Sequence, residues 1–516
     1  MARDAVPVDF TASTLDSHDG QRRGDQELTV PGVPAGPAEP IRQAREPIGG
    51  DWEPHVPGRL PEWIPRPRVP ADRLPPGHWS RRVAAPASRR LGLVAGVLVI
   101  VLGAIYLVWR AGTLGGTGMI GRVFYGAELL SYVALAWTAV MLGRYRPGDA
   151  RRPGPPTGTL DVFVTVCGEP ASMVEQTLRC ALAIDYPHRT YVLNDGRISG
   201  RKNWREIDAL AARLGVPCFT RVDGTSGKAG NLNHALARTD GDAILTLDAD
   251  HLVVPDVAEQ LVGYLHDPKV GFVCTAQCFD TGRLDMLNNA ESIFYRAFQP
   301  AKDRDGSAFS TGNGALYRRS ALESTGGFSE WNIGEDIHTS YQIHARGWSS
   351  VYHARAVSIG TAPATVAVYA RQRFRWMMNY MRLMLFDSPL IKSGLSGWQR
   401  AHYLHSTLSP LLASSQAVFI VGPPLAIIFR TPFSSETPEA HLLFVGPYLA
   451  SSLLFMVACG GAGSAIRTAA MTLFNAPLYL TAFFRVVLWH RPRASATEKA
   501  FQPRMSVLLL PQIVFA

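Results

Sequence analysis

The chain has 516 residues, of which 47% are hydrophobic, and it carries a formal net charge of +9. This length allows two to four domains and a large buried core. The charge does not indicate nucleic-acid binding, because no basic stripe is interleaved with aromatic residues and much of the excess arginine flanks apolar segments. The six cysteines are scattered and match neither a metal knuckle nor a disulfide framework, which predicts free thiols in a reducing compartment.

The N-terminal region is rich in proline and charged residues and contains no apolar run. Such a composition buries too little surface to offset the entropy cost of ordering, so we predict a disordered cytosolic tail over residues 1–88. No charged segment followed by a short apolar stretch stands at Met1, which argues against a cleavable signal peptide.

Apolar runs long enough to cross a bilayer occur on both sides of a polar middle section. Two of them, at 91–109 and about 123–142, predict a pair of transmembrane helices within residues 89–145. Arginine-rich flanks precede the first run and follow the second, which places both outer ends in the cytosol. We therefore expect a multi-pass protein of the plasma or inner membrane whose N-terminus and middle section are cytoplasmic.

The region 401–516 is predicted to hold further membrane segments. Residues 404–429 and 441–459 are spanning candidates. If the stretch 466–489 also spanned, the basic segment after it would lie outside the cell, so an interfacial or re-entrant helix is favoured there. The final run, 505–516, is too short to cross a bilayer, which predicts that the natural chain continues beyond it.

The middle section, 155–365, has the pattern of a soluble α/β domain. Residues 161–166 form an apolar, β-rich run, 172–184 have helical periodicity, and 191–193 and 243–247 are further short apolar runs. This alternation predicts parallel strands joined by helices. Ligands of such sheets bind at the carboxyl ends of the strands.

Carboxylates follow two of these predicted strands. Asp195 comes after the second, and Asp248 and Asp250 come directly after the third. Two carboxylates at this spacing can both reach a Mg²⁺ or Mn²⁺ ion that bridges a diphosphate. In an isolated loop the same pattern is more often a solvated turn, but its place after an apolar strand favours a metal site.

A glycine-rich segment precedes the third strand. Only two residues separate Gly224 from Gly227, and alanine follows Lys228, so the segment is not a Walker phosphate loop. It is either an ordinary turn or a loop that presents Lys228 and Asn231 to a diphosphate or to uridine.

Two acidic residues, Glu335 and Asp336, begin a predicted helix. Acids in a first helical turn complement the helix dipole, which is a sufficient structural explanation. The functional alternative is a general base that takes the proton from an attacking hydroxyl group.

Gln372, Arg375 and Trp376 are spaced i, i+3 and i+4 in the predicted interfacial segment 366–400, so they share one helix face. The indole offers a platform for a sugar ring, and the guanidinium offers paired hydrogen bonds to a diphosphate. The alternative is a basic amphipathic helix on the membrane surface.

In their order along the chain, these motifs resemble those of the processive family 2 glycosyltransferases, above all the catalytic subunit of bacterial cellulose synthase. The resemblance implies a GT-A domain inserted between transmembrane helices, a UDP-sugar donor, and Mg²⁺ or Mn²⁺ held by Asp248 and Asp250. It implies Asp336 as general base, next to Glu335. The substrate-binding residues that it implies are Glu169, Asp195, Lys228, Asn231, Asp248, Thr311, Gly312, Asn313, Gln372, Arg375, Trp376, Thr497 and Lys499.

Thr497 and Lys499 belong to a gating-like loop, 491–504, in which Ala494 replaces the aromatic residue of the family pattern. Other departures from the cellulose pattern lie in the donor and acceptor regions and in the acidic motif, where Gly334 replaces threonine. No cyclic-di-GMP-binding PilZ domain is expected within the given sequence, which stops before the point where one would begin. The departing residues are Cys167, Asn194, Ser310 and Gly334.

The leading hypothesis is an inverting membrane glycosyltransferase that polymerises a β-linked, cellulose-like glucan from a UDP-sugar and translocates it. Its partners are then the donor, the growing polysaccharide, the lipid bilayer and, where present, accessory export subunits. Synthesis of chitin, hyaluronan, curdlan or poly-N-acetylglucosamine uses the same chemistry. Single transfer to a lipid carrier is a second enzymatic alternative, and a scaffold with a decayed catalytic domain is a non-enzymatic one.

Overall fold

The computed structural model describes residues 89–143, 153–224, 227–280, 287, 291, 293–332, 334–363 and 365–488. The predicted tail 1–88, the gating-like loop with Thr497 and Lys499, and the final run 505–516 lie outside the described residues.

One mixed sheet organises the middle section. Its strands, in chain order, are β1 Leu160–Val166, β2 His188–Asn194, β3 Cys218–Thr220, β4 Ala243–Asp248, β5 His251–Val253, β6 Val270–Asp280, β7 Ala315–Arg318 and β8 Ser349–Thr361. Their spatial order is β3-β2-β1-β4-β7-β6-β8-β5. β1 runs parallel to β2 and β4, as the sequence predicts. β2 also runs parallel to β3, a short strand that was not predicted. The other half differs from an all-parallel sheet, because β7 is antiparallel to both β4 and β6.

Both faces of the central strand β1 are covered, which explains why it is apolar throughout instead of alternating. Val162 and Val164 pack into a core on one face of the sheet, and Phe163 packs into a second core on the other. The helices of this section are α3 Ala171–Leu182, α4 Trp204–Arg213, α5 Gly227–Leu236, α6 Val257–Leu261, α7 Gln299–Arg304, α8 Arg319–Glu323 and α9 Glu335–Ala345. All of them except α7 contribute residues to those cores.

The described residues include five helical segments that are long and apolar enough to cross a membrane, by length and composition. Their helices are α1 Arg89–Gly112, α2 Gly118–Gly143, α11 Gly397–Ala413 continued by α12 Val418–Ile428, α13 Pro438–Gly460 and α14 Ala462–Leu488. The one acidic residue inside the second segment is neutralised there. Glu128 forms an ion pair with the buried Arg110 at 3.1 Å and accepts a hydrogen bond from Tyr106 at 2.5 Å.

The helix α14 coincides with the stretch predicted to be interfacial or re-entrant. It is one continuous helix of 27 residues, long and apolar enough by length and composition to cross a membrane. Arg467 and Arg485 lie towards its two ends, where long basic side chains can reach a polar boundary. Its interfacial placement stays a prediction.

The helix α10, Val366–Phe386, follows the sheet and connects it to the apolar helices. Its residues Met377 and Met381 pack against Ala482 and Val486 of α14. The helix that carries the predicted Gln-x-x-Arg-Trp motif therefore contacts both the catalytic section and an apolar helix.

Candidate active site

The end of β4 is the centre of the site. Asp248 lies opposite Thr165 in the register of β4 with β1, and its carboxylate accepts hydrogen bonds from Thr165 Oγ1 at 3.2 Å and from Lys228 Nζ at 2.6 Å. The backbone N–H of Asp248 donates to Asn313 Oδ1 at 3.0 Å. The carboxylate therefore has a fixed position at the edge of the sheet.

Lys228 joins three separate parts of the chain. Besides Asp248, its ammonium group contacts Glu335 Oε1 at 3.2 Å and donates a hydrogen bond to the carbonyl oxygen of Gly312 at 3.1 Å. Burial opposes the charge, but the carboxylates of Asp248 and Glu335 outweigh it and raise the pKa of Lys228. Burial likewise opposes ionisation of Asp248, and Lys228 with His251 overcomes it and lowers the pKa of that carboxyl. Both groups are thus charged at neutral pH.

Asp336 lies in the first turn of α9, beside Gly312. Its Oδ1 accepts a hydrogen bond from the N–H of Ile337 at 2.7 Å. Gly312 has φ +85°, and a Cβ there would lie 3.2 Å from Asp336 Oδ2, so glycine permits both the turn and the close approach. Burial, followed by the neighbouring Glu335 charge, raises the pKa of Asp336 to about 7. A carboxyl group with this pKa can accept a proton near physiological pH.

The segment Phe309–Gly314 is anchored to α9 and to the sheet. The N–H of Ser310 donates to Ser340 Oγ at 2.9 Å, and Ser340 Oγ donates to the carbonyl oxygen of Asp336 at 2.8 Å. Gln277 Nε2 donates to the carbonyl oxygen of Thr311 at 3.0 Å. The predicted acceptor-side residues and the predicted base therefore lie in one connected unit.

Asp248 and Asp250 form a candidate metal centre together with His251. One potential ligand atom from each of the three lies within 4.8 Å of the others. His251 Nδ1 lies 2.9 Å from Asp250 Oδ1, which fixes the ring, and its buried Nε2 has no hydrogen-bond partner in the described part of the chain. The two carboxylates supply the oxygen ligands that Mg²⁺ and Mn²⁺ prefer, so Asp248 and Asp250 fit such an ion.

Glu169 lies near the same carboxylates. Its Oε2 accepts a hydrogen bond from the N–H of Cys167 at 2.6 Å. Burial raises the pKa of Glu169, and the charges of Asp250 and Asp248 raise it further. Glu169 is therefore within electrostatic range of the candidate metal centre.

Two other predicted binding residues have internal partners. Arg221, which sequence reasoning missed, forms a paired hydrogen-bonded ion pair with the buried Asp195, with both N–O distances at 2.7 Å. It also donates to the carbonyl oxygen of Gly227 at 3.1 Å, at the start of α5. Asn231 Nδ2 donates to the carbonyl oxygen of Leu193 in β2 at 2.8 Å. Lys228 and Asn231 therefore lie on helix α5 and not in the predicted turn or loop. Asp195, through Arg221, and Asn231 position the first turn of that helix.

On α10, Gln372 and Trp376 are half-buried and Arg375 is exposed. A second missed residue, Arg373, stacks its guanidinium over the ring of Trp376 at 4.4 Å and forms an ion pair with Glu291. The cation holds the indole ring in place. A basic residue inside the motif was the only signal available for it in the sequence.

Two family models match the chain. Residues 155–379 match the model described as glycosyltransferase like family 2, and residues 324–445 match the model described as cellulose synthase. The chain contains a family 2 glycosyltransferase domain and a cellulose synthase domain. The predicted family is therefore confirmed.

Curated relatives agree with this assignment. Cellulose synthase 1 of Komagataeibacter xylinus is 30% identical over 382 residues, which cover 70% of this chain and 24% of that protein. A cellulose synthase catalytic subunit (UDP-forming) of Pseudomonas fluorescens strain SBW25 is 30% identical over 392 residues, 71% of this chain and 51% of that protein. The chain spans about half or less of the length of these relatives.

A solved structure confirms the GT-A fold of the glycosyltransferase domain. The mannosyltransferase PcManGT from Pyrobaculum calidifontis, in complex with GDP-Man and Mn²⁺, superposes with a TM-score of 0.54 at 18% identity. The match covers 72% of this chain and all of PcManGT. At this identity the likeness concerns the fold alone.

The departures of this family 2 domain from the cellulose pattern have local explanations at two positions. Asn194 Nδ2 donates to the carbonyl oxygen of Trp204 at 2.9 Å and to Asp208 Oδ1 at 2.8 Å, so it serves the packing of α4. The hydroxyl group of Ser310 accepts a hydrogen bond from the N–H of Gly312 at 3.1 Å, which supports the turn next to Asp336.

Proposed function

We propose that the protein is a membrane-embedded, inverting glycosyltransferase that polymerises a β-linked glucan from a UDP-sugar and passes the product between its own helices. The observation that carries this proposal is the Lys228 bridge, which joins Asp248 to the acidic first turn of α9. Such a bridge brings a diphosphate-binding carboxylate and a proton acceptor to one place. The relatives named cellulose synthase support the choice of a glucan.

On the donor side, Asp248 and Asp250 would hold Mg²⁺ or Mn²⁺, with His251 in reach. The ion, when bound, neutralises charge on the leaving diphosphate. Lys228, which stays protonated, adds a positive charge at the same edge. Arg375, Gln372 and the first turn of α5, which carries Lys228, are the proposed further contacts to the nucleotide.

On the acceptor side, Asp336 takes the proton from the terminal hydroxyl group of the growing chain. The oxygen of that hydroxyl forms a bond to the anomeric carbon of the donor, and the bond from that carbon to the diphosphate oxygen breaks, so that UDP leaves with the electron pair. Attack opposite the leaving group inverts the configuration and gives a β-linkage. A pKa near 7 suits Asp336 to this step, because the group is ionised before attack and remains basic enough to accept the proton.

Membrane placement and orientation are part of the proposal. The five apolar helical segments fit a bilayer in length, and in the sequence arginines precede the first segment and follow the second. We propose that this domain faces the cytosol. We also propose that Trp376 and residues 309–314 contact the acceptor end of the polymer, and that Thr497 and Lys499 contact the donor.

The test supplies membranes containing the protein with labelled UDP-glucose or UDP-N-acetylglucosamine, each with Mg²⁺ or Mn²⁺. We expect a high-molecular-weight product from UDP-glucose that β-glucan-specific glycanases degrade. Polymer from another UDP-sugar would support the proposed polymerisation but replace the glucan by another product. A single labelled lipid would support transfer to a carrier, and no polymer from any UDP-sugar would reject the proposal.

A further inference from the structure

Asn379 lies next to the proposed base. The helix α10 places Gln372, Trp376 and Asn379 at i, i+4 and i+7, so Asn379 continues the face of the two motif residues along the helix. Its side chain is only 4% exposed. Asn379 is therefore a buried polar residue on the face of α10 that carries the motif.

Gly334 is the residue that Asn379 meets. It is the N-cap of α9, the position at which serine, threonine, aspartate or asparagine usually satisfies the first N–H groups of a helix. A Cβ on Gly334 would lie 2.4 Å from Asn379 Nδ2 and 3.3 Å from Asp336 Oδ1. The amide of Asn379 thus fills the space of the missing cap side chain, beside the carboxylate of Asp336.

A second contact holds the same two segments together. Asn332 Nδ2 donates a hydrogen bond to the backbone oxygen of Asn379 at 3.2 Å. Asn379 Oδ1, in contrast, is buried and accepts no hydrogen bond from the described residues. An unpaired buried amide oxygen destabilises the folded state, because it has lost its hydrogen bonds to water. Packing alone would favour an apolar side chain here, so the amide calls for a functional explanation.

We propose that Asn379 is a positioning residue, which holds the first turn of α9 so that the Asp336 carboxylate faces the acceptor hydroxyl group. This inference rests on the proposed function, because it takes Asp336 as the base. The contact also fixes the motif face of α10 relative to the base on α9. Donor binding on one helix and proton acceptance on the other are then held in one geometry.

The first experiment compares Asn379→Ala with Met378→Leu, a volume-conserving change at a neighbouring buried residue that packs towards α14. Asn379→Ala should lower kcat about ten- to a hundred-fold, as expected for a misplaced catalytic group, while KM for the UDP-sugar and Kd for UDP change less than about threefold. Met378→Leu should retain wild-type kinetics. A wild-type kcat in Asn379→Ala, or a loss confined to KM, would overturn the proposal.

The second experiment adds a cap side chain at position 334 and removes the side chain at position 379. Gly334→Thr alone places its Cβ against the amide of Asn379 and should abolish transfer, whereas Gly334→Thr with Asn379→Gly removes the clash and restores a cap side chain. The double variant should be at least about ten-fold more active than Gly334→Thr. A folded double variant that binds UDP and is no more active than Gly334→Thr would overturn the proposal.

The two proposals fail in different ways. An inactive wild-type protein, tested with every UDP-sugar, would reject the proposed function. An active wild-type protein whose Asn379→Ala variant has the same kcat would reject only the positioning role. Thermal unfolding and UDP binding are measured on every variant. If Asn379→Ala does not fold, the comparison of Gly334→Thr with the double variant Gly334→Thr, Asn379→Gly tests the positioning role.

Discussion

Replacing Asp336 by asparagine separates the chemical role of this residue from its structural cost. The substitution keeps the shape of the side chain and removes its charge and its basicity. If Asp336 is the general base, kcat should fall by roughly 10²–10⁴-fold, the usual contribution of a positioned base. UDP affinity should stay within about threefold of wild type, because the donor contacts that we propose involve other side chains.

The same substitution should stabilise the fold at high pH. Burial and Glu335 raise the pKa of Asp336 from 3.8 to about 7, so the native state disfavours the ionised form. Because the pKa of Asp336 is higher in the folded than in the unfolded protein, the folded state loses stability as pH rises from the unfolded-state pKa to the folded-state pKa. This range is about 4 to 7. At pH 8 the ionised group therefore costs roughly 2–4 kcal/mol, which Asp336→Asn should recover.

The assays are polymer formation by membranes, UDP binding, and thermal unfolding at pH 4.5 and pH 8. Glu259→Gln, at an exposed carboxylate on α6, is the matched control and should change none of the three. The Tm of Asp336→Asn should exceed that of wild type at pH 8, and this difference should shrink at pH 4.5. Retained polymer formation would refute the base assignment, and a lower Tm at pH 8 would refute the electrostatic argument.

Three further predictions concern charged residues around the site. Lys228→Met removes a charge that lowers the pKa of Asp336, so the pH–rate profile should move to higher pH and UDP affinity should fall about ten-fold or more; an unchanged profile would contradict this. Arg221→Ala leaves Asp195 buried and unpaired and should cost about 3–5 kcal/mol in unfolding experiments, much of which the double change with Asp195→Ala should recover. Burial lowers the pKa of Lys302 from 10.5 to about 7, so between these pH values the unfolded state binds one proton more than the folded state. The free energy of unfolding should therefore rise by roughly 1 kcal/mol from pH 6 to pH 8. Lys302→Met should lose this increment, which Tm measured at both pH values would reveal.

Much of the donor side of the site could be predicted because it depends on local order. An apolar strand followed by Asp248 and Asp250 places both acids at the carboxyl edge of a parallel sheet, and β1, β2 and β4 have that arrangement. The antiparallel strand β7 was not predicted, because its four residues are too few for a periodic pattern.

The contacts that join distant segments could not be predicted. Lys228 and Glu335 are separated by more than a hundred residues, and no pattern in either segment specifies the other. The same holds for Gly334 and Asn379, whose contact depends on how α9 and α10 pack. In the sequence Gly334 is only a departure from the family pattern, whereas in the structure the side-chain amide of Asn379 on α10 occupies the space next to it.

The most direct test of the account is the polymer assay with wild-type membranes, UDP-glucose and Mg²⁺ or Mn²⁺, run in parallel with Asp336→Asn. We expect a glycanase-sensitive glucan from the wild-type protein and none from the variant, although the variant still binds UDP. Equal polymer from both proteins would contradict the central claim, as would the absence of polymer from the folded, UDP-binding wild type with every UDP-sugar.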